Sequence, residues 1–354
     1  MGKLAVYKYV SMMFLVAQIV ITVFTIVALF GGNVQPAGNT ARAMLVYILP
    51  VLIAANVLML VIWLIRRKWL YALIPLITIA CCIPYIGTIY QFGSLDKTAD
   101  QAKGVKIATY NVAMFQRETS GFMALDILAE MRRQKVDVLC MQEYSEISGD
   151  KKNSESYKEY FPYMAKGKDD MVVFSRFPIK GNKTIRFDDT NNSAMYADVD
   201  VNGTELRVFN VHLQTTGINR TLHQAGKMQM QVPGYEPSRN RVLSAIFGNY
   251  TIGMMVRAGQ ATTIANEKRS STKPCIVCGD FNDVPYSYVY NTMLGNMVDG
   301  FKECGSGWMY TFRGRKAVRI DYIFHDESLK GLSYYKSDIT NSDHLPVFMK
   351  IALQ

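Results

Sequence analysis

The chain has 354 residues, enough for more than one folded unit, and a mean hydropathy of +0.05, high for a protein without membrane contact. Its formal charge is +10, but residues 1–103 hold eight Lys and Arg against only Asp96 and Asp100. The rest is mildly basic, which gives little support for a protein built mainly to coat nucleic acid.

Three apolar runs open the chain: Val10–Phe30, Ala43–Ile65 and Trp69–Tyr90, none with Asp, Glu, Lys or Arg inside it. Each reaches the roughly 20 residues that cross a bilayer as a helix. The first outlasts the roughly 7–15 residues of a signal-peptide core, and no small-residue cleavage site follows it. Gly31–Asn39 is a turn-rich loop, and Arg66-Arg67-Lys68 is a tight basic loop. The positive-inside rule places Lys3, Lys8 and the Arg66–Lys68 loop on the cytoplasmic side, so three crossings put everything after Tyr90 outside the cytoplasm. Pro75 and Pro84 predict a kinked third span. The sequence is therefore expected to divide into a membrane anchor, 1–92, with transmembrane helices at about 10–30, 43–65 and 69–90, a linker at 93–103, and a folded domain at 104–354. The lipid bilayer is an expected partner; no protein partner is inferable.

Beyond the linker, core strands repeatedly run out into polar residues. Val105–Asn111 alternates and ends on Asn111; Gly121–Gln134 has helical period; Val136–Met141 is an apolar strand that delivers Gln142 and Glu143. Ser148–Tyr157 is polar enough to read as a surface loop. Met171–Phe174 is a strand. Asn202-Gly203 signals a hairpin between Ala194–Val201 and Glu205–Val211, whose second strand carries Asn210 and His212 on one side. Gln214–Pro237 reads as a loop or substrate-facing insertion, and Arg239 to about Lys268 as helix. Pro274–Cys278 is a buried strand leading into Gly279-Asp-Phe-Asn282, where Asp280 and Asn282 point the same way. Ser287–Leu294 is helical; Trp308–Phe312 and Arg319–Phe324 are strand-like, the latter containing Asp321; Ser342-Asp343-His344 precedes a last strand, Val347–Leu353. An Asp in an apolar strand is costly unless paired. Cys275 and Cys278 share one strand on opposite faces, a geometry that neither holds zinc nor forms a redox dithiol. Strands alternating with helices, but with hairpin signals, indicate an α/β (α+β) fold of two packed mixed β-sheets flanked by helices, a four-layer sandwich.

The strand-end set, Asn111, Glu143, Asn210, His212, Asp280, Asn282, Asp321, Asp343 and His344, suits phosphate-ester hydrolysis: oxygen donors for a hard cation and a His–Asp pair for proton handling. The order YN(111), QE(143), SRFP, NVHL(213), GDFN(282), IDYIF(324), SDH(344) resembles the endonuclease/exonuclease/phosphatase superfamily, over about Lys103–Gln354. The resemblance implies a Mg²⁺ site, with Mn²⁺ as substitute, at Glu143 with Asn111 beside it and Asp343 reaching in. It implies Asp280 aligning the attacking water, Asn282 steadying the phosphate, His344 oriented by Asp321, and His212 as a second phosphate-side histidine, as in deoxyribonuclease and sphingomyelinase branches. Ala113 stands where apurinic endonucleases carry Asp, which argues against abasic-site repair. The resemblance thus implies a metal-dependent phosphoesterase, with nucleic acid or a phospholipid head group as substrate. The alternative is an inactive membrane-bound binding module of the same fold.

Overall fold

The computed structural model describes residues 3–94, 96–117, 122–145, 151–168, 170–188, 190, 192–215, 239–314 and 317–353. It divides into two compact units: Met1–Thr88 with Val284–Asn291, and Ile89–Asp283 with Thr292–Gln354.

In the first unit, Ala5–Asn33 and Thr40–Ile65 are long and apolar enough to cross a membrane. The third apolar run does not make one such helix. It is helical over Trp69–Cys81, 13 residues, breaks at Cys82 and resumes for Ile83–Ile86. The break falls two residues before Pro84, which lacks the backbone donor a continuing helix would use but is tolerated in the first turn of a new one. The polarity of this unit is inverted relative to a water-soluble bundle. Gln18, Thr25, Asn56 and Thr78 are buried, while Val51, Ile65 and Leu70 face outward. Gln18 Nε2 donates to Asn56 Oδ1 at 3.1 Å, Asn56 Nδ2 donates to Thr25 Oγ1 at 2.9 Å, and the hydroxyls of Thr22 and Thr78 lie 3.2 Å apart. These bonds tie the helices to one another and satisfy their buried polar groups.

The second unit is built on two six-stranded sheets. One has the order β13 (Lys330–Lys336), β14 (Val347–Ala352), β2 (Val105–Asn111), β3 (Val138–Gln142), β5 (Val172–Ser175), β4 (Tyr163–Lys166). The other has the order β10 (Val298–Asp299), β12 (Asp321–His325), β9 (Cys275–Asp280), β8 (Thr204–His212), β7 (Ser193–Val201), β6 (Ile179–Arg186). A third, two-stranded sheet pairs β1 (Tyr90–Gln91) with β11 (Gly307–Trp308). Each large sheet has a parallel pair near its centre, β2–β3 and β8–β9, and antiparallel neighbours, so both are mixed. The inner faces meet through Ile107, Val138, Cys140 and Val173 on one side and Ala197, Val208, Ile276 and Ile323 on the other. The alternate residues Ala108, Leu139 and Met141 pack outward on Ile127, Leu128 and Met131 of the helix Phe122–Arg133. Burial on both faces is why these strands read as continuous apolar runs.

Two sequence expectations change. The polar stretch after Ser148 is helical over Lys151–Tyr160, held by the buried Tyr157, whose hydroxyl donates to Ala124 O at 2.8 Å. The strand expected through Phe312 stops at Trp308. Strands β4, β6 and β13 carry half-exposed, polar-interrupted patterns that mask their period. The insertion expected at Gln214–Pro237 lies outside the described residues beyond Thr215. The Asn202-Gly203 hairpin forms as expected, with φ 53° and 94° at its two turn residues. The helix Arg239–Arg269 buries Met254, Ala258, Ala261 and Ala265, one face at helical spacing. All six cysteines are free thiols.

Candidate active site

The carboxyl ends of the two parallel pairs converge. β2 ends on Asn111, β3 leads to Glu143, β8 ends on His212 and β9 ends on Asp280. Asp321 opens β12 directly opposite Asp280 in the antiparallel register, and His344 stands just before β14. Gly279 makes the convergence possible. Its φ is 137°, and a Cβ there would lie 2.0 Å from the Val211 carbonyl of the neighbouring strand. Only glycine lets β9 run that close to β8.

Asn111 is the hub. Its amide donates to Glu143 Oε1 at 3.2 Å and to Asp280 Oδ2 at 3.1 Å, while its Oδ1 accepts the Ala113 N–H at 3.0 Å. In this arrangement the amide nitrogen, not the oxygen, faces the carboxylates, so Asn111 positions the acidic groups. Asp280, 1 % exposed, also accepts the Asn282 backbone N–H at 2.8 Å and the Asn282 side-chain amide at 3.1 Å. Asn282 is tied to Leu213 O as well, at 2.9 Å, and has φ 51°; Glu143 has φ 50°. Two non-glycine residues in the left-handed region at one site is the pattern of a backbone held against its preference.

Two histidines flank the carboxylates. His344 Nδ1 lies 3.0 Å from Asp321 Oδ2, and its Nε2 lies 3.7 Å from Asp280 Oδ2. His212 Nδ1 lies 3.1 Å from Asp170 Oδ2, and its Nε2 lies 3.7 Å from Glu143 Oε1. Burial alone would lower both pKa values, but the facing carboxylates outweigh it. Asp321 and Asp280 push His344 up to about 10, and Asp170, Asp280 and Glu143 raise His212 above its usual value. Burial pushes Asp280 up to about 6 even against the two histidines. Phe312 covers one side of His344, ring centroids 5.0 Å apart.

Ligand atoms of Asp280, Asp321 and His344 lie within 4.8 Å of one another. His344 Nδ1 lies at hydrogen-bond distance from Asp321 Oδ2, so this group reads as a donor–carboxylate pair. The chemistry of Glu143 fits a hard divalent ion better: its side chain is 34 % exposed and one carboxylate edge is steered by Asn111. Mg²⁺ typically takes one or two carboxylates and keeps several waters.

Most of the expected residues come together, with two differences. Asp343 is exposed, and its carboxylate accepts from the Ser342 hydroxyl at 3.4 Å. Asn210 is fully buried; its amide donates to Met141 O and Val172 O, both at 2.9 Å, and its Oδ1 accepts from Gln142 at 2.6 Å. That residue fastens β8 to β3 and β5 and leaves no group for substrate. Asp170 is a partner that sequence reasoning missed, because it sits in the charged stretch Lys168-Asp-Asp170, where a carboxylate reads as solvated. Asp283, next after Asn282, forms a buried ion pair with Arg257 at 3.1 Å, and Arg257 also donates to Gln214 O at 3.0 Å. A second buried pair, Arg319–Asp299, lies two residues before Asp321.

Two mixed sheets stacked face to face, with carboxylates and His–Asp pairs gathered where their parallel strands end, define a phosphoesterase fold. The chain belongs to the Endonuclease/Exonuclease/phosphatase family, whose match spans residues 108–344. Residues 11–89 match a separate domain of unknown function. No curated protein matches the chain. Among solved structures, it is similar to an endonuclease/exonuclease/phosphatase from Bacteroides vulgatus at 16% identity and TM-score 0.51, over 72% of this chain and 100% of that one. It is also similar to a conserved protein from Enterococcus faecalis V583 at 16% identity and TM-score 0.50, over 71% of this chain and 100% of that one. At these identities the likeness concerns the fold.

Proposed function

We propose that the chain is a membrane-tethered, divalent-metal-dependent phosphodiesterase that hydrolyses nucleic acid or a phospholipid head group by in-line attack of water. The observation that carries this reading is the opposition of His344, kept cationic by Asp321, to Asp280 and the Asn111–Glu143 pair. In it, Asp280 orients the attacking water and takes its proton, and its raised pKa suits that task near neutral pH. His344 donates to the phosphoryl oxygen on which charge develops, with Asp321 fixing the orientation of the ring and holding its charge. His212 is a second donor to the phosphate, and Asn282, whose side-chain amide is spent on Asp280 and Leu213 O, holds Asp280 in place rather than steadying the phosphate itself. Glu143 would hold Mg²⁺ or Mn²⁺, with Asn111 positioning it and Asp343 available at the rim. The ion would supply Lewis acidity that offsets charge on the phosphate.

The membrane part of the proposal rests on the inverted polarity of the apolar unit, buried Gln, Asn and Thr with outward Val, Ile and Leu. That arrangement costs free energy in water and gains it in hydrocarbon. We assign residues 1–92 as anchor, 93–103 as linker and 104–354 as the catalytic domain, facing away from the cytoplasm.

The test is a substrate panel with the full chain in detergent, with Mg²⁺ or EDTA: plasmid DNA, RNA, sphingomyelin, phosphatidylinositol phosphates and bis-p-nitrophenyl phosphate. Metal-dependent release from at least one is expected, together with a loss of about 10² or more in Glu143→Ala. Absence of metal-dependent release from every substrate sinks the enzyme reading, and full activity in Glu143→Ala sinks the metal assignment.

A further inference from the structure

Tyr90, Phe92 and Trp308 form an aromatic cluster that the chemistry above does not use. Tyr90 of β1 is paired with Trp308 of β11, and the Met309 N–H donates to Ile89 O at 2.8 Å beside them. The Tyr90 ring centroid lies 4.9 Å from that of Trp308 and 5.0 Å from that of Phe92. The cluster is nonetheless open to its surroundings: Phe92 is 88 % and Trp308 66 % exposed. Gly93 and Gly307, which flank these two side chains, have nothing within 4 Å of where a Cβ would stand. Large aromatic side chains grouped on an open surface mark a contact site rather than a fold requirement.

The chain itself indicates what the contact is. Tyr90 follows the last apolar helix, Ile83–Ile86, by four residues, and four residues of chain span at most about 14 Å. Whatever the arrangement of the two units, Tyr90 leaves a membrane-embedded helix within reach of the headgroup layer. Trp308 is distant in sequence, yet strand pairing brings it to the same place. Trp and Tyr, apolar in body and polar at one edge, are the residues that settle at the membrane–water boundary.

We propose that Tyr90, Phe92 and Trp308 are an interfacial anchor that beds the catalytic domain into the headgroup layer of the bilayer. This rests on the membrane-tethered reading above. The anchor has a short path to the site. Three residues beyond Trp308, the Thr311 hydroxyl accepts the backbone N–H groups of Ile320 and Asp321, both at 3.0 Å, and the next residue is Phe312, which packs on His344.

The test uses tryptophan emission, since the chain has three Trp: Trp63, Trp69 and Trp308. The full chain and Trp308→Phe are reconstituted in phosphatidylcholine vesicles brominated either near the headgroup or near the acyl terminus. The difference between the two proteins isolates Trp308 without altering Trp63 or Trp69. The expected result is loss of the difference emission with shallow bromine, little loss with deep bromine, and little quenching by aqueous iodide. Quenching by iodide without quenching by bromine overturns the anchor. Shielding from both means that protein covers Trp308, and overturns it too. Trp308→Tyr repeats the subtraction with a ring that keeps the β11 contact, should the Phe variant fold poorly. The emission remaining in Trp308→Phe separates the two failures. Trp63 is buried and Trp69 exposed, so Trp69 is the control: if bromine leaves Trp69 unquenched, the membrane reading falls; if it quenches Trp69 but not Trp308, the anchor alone falls.

Discussion

His344 and His212 each take an aspartate from the opposite sheet. His344 stands before β14 and bonds Asp321 at the start of β12; His212 ends β8 and bonds Asp170 ahead of β5. The pairs differ in how far water reaches the acid: the Asp321 side chain is 1 % exposed and that of Asp170 is 19 %. A carboxylate shielded from water acts at higher effective field, so Asp321 holds His344 cationic well above neutral pH, whereas the pull of Asp170 is diluted by solvent. The same pairing motif thus yields one fixed cation and one softer, more exchangeable donor.

The largest expected effect that probes this contrast is on His344. His344→Ala is expected to lower kcat by about 10²–10³, the usual cost of removing a donor aimed at developing charge. His212→Ala should cost less, and a larger loss there would invert the ranking. Asp321→Asn is expected to cost about tenfold to a hundredfold and to move the alkaline limb of kcat/KM to lower pH, because the neutral amide no longer holds the proton on His344. Asp170→Asn should cost under about tenfold and leave that limb in place. A shifted limb in Asp170→Asn, or an unshifted one in Asp321→Asn, breaks the distinction. The smallest effect is on stability. The His344 pKa is raised in the fold from its ordinary 6.5 to about 10, so its ion pair stabilises fully below about 6.5, and that contribution is lost as pH rises through about 10. In EDTA, Tm should fall by a few degrees across that window, and Asp321→Asn should flatten the fall. A Tm that rises with pH there contradicts the assignment.

What the sequence made legible follows the same division between shielded and wet. Asp280, Asp321 and His344 sit at the edges of apolar runs, where a polar residue stands out against its neighbours. Asp170 stands among charged residues and is invisible until the fold brings it to His212. The helix Lys151–Tyr160 was hidden for a related reason: its composition is polar and a single buried aromatic, Tyr157, commits it to the core. The two-sheet architecture was readable because strands buried on both faces are apolar throughout; β4, β6 and β13, near or at sheet edges, are interrupted by polar residues and lose that mark. Asn210 shows the opposite error. Its place at a strand end, in step with His212, suggests chemistry, but the fold uses its whole amide internally.

That use of Asn210 has a mechanical consequence. One side chain on β8 is bolted to the ends of β3 and β5 by three hydrogen bonds, all sealed from water. Sliding one sheet over the other would break those bonds together, so the stack resists shear at the very level where both histidines reach across it. The spacing between groups owned by different sheets is therefore set when the domain folds, like a gauge locked before use.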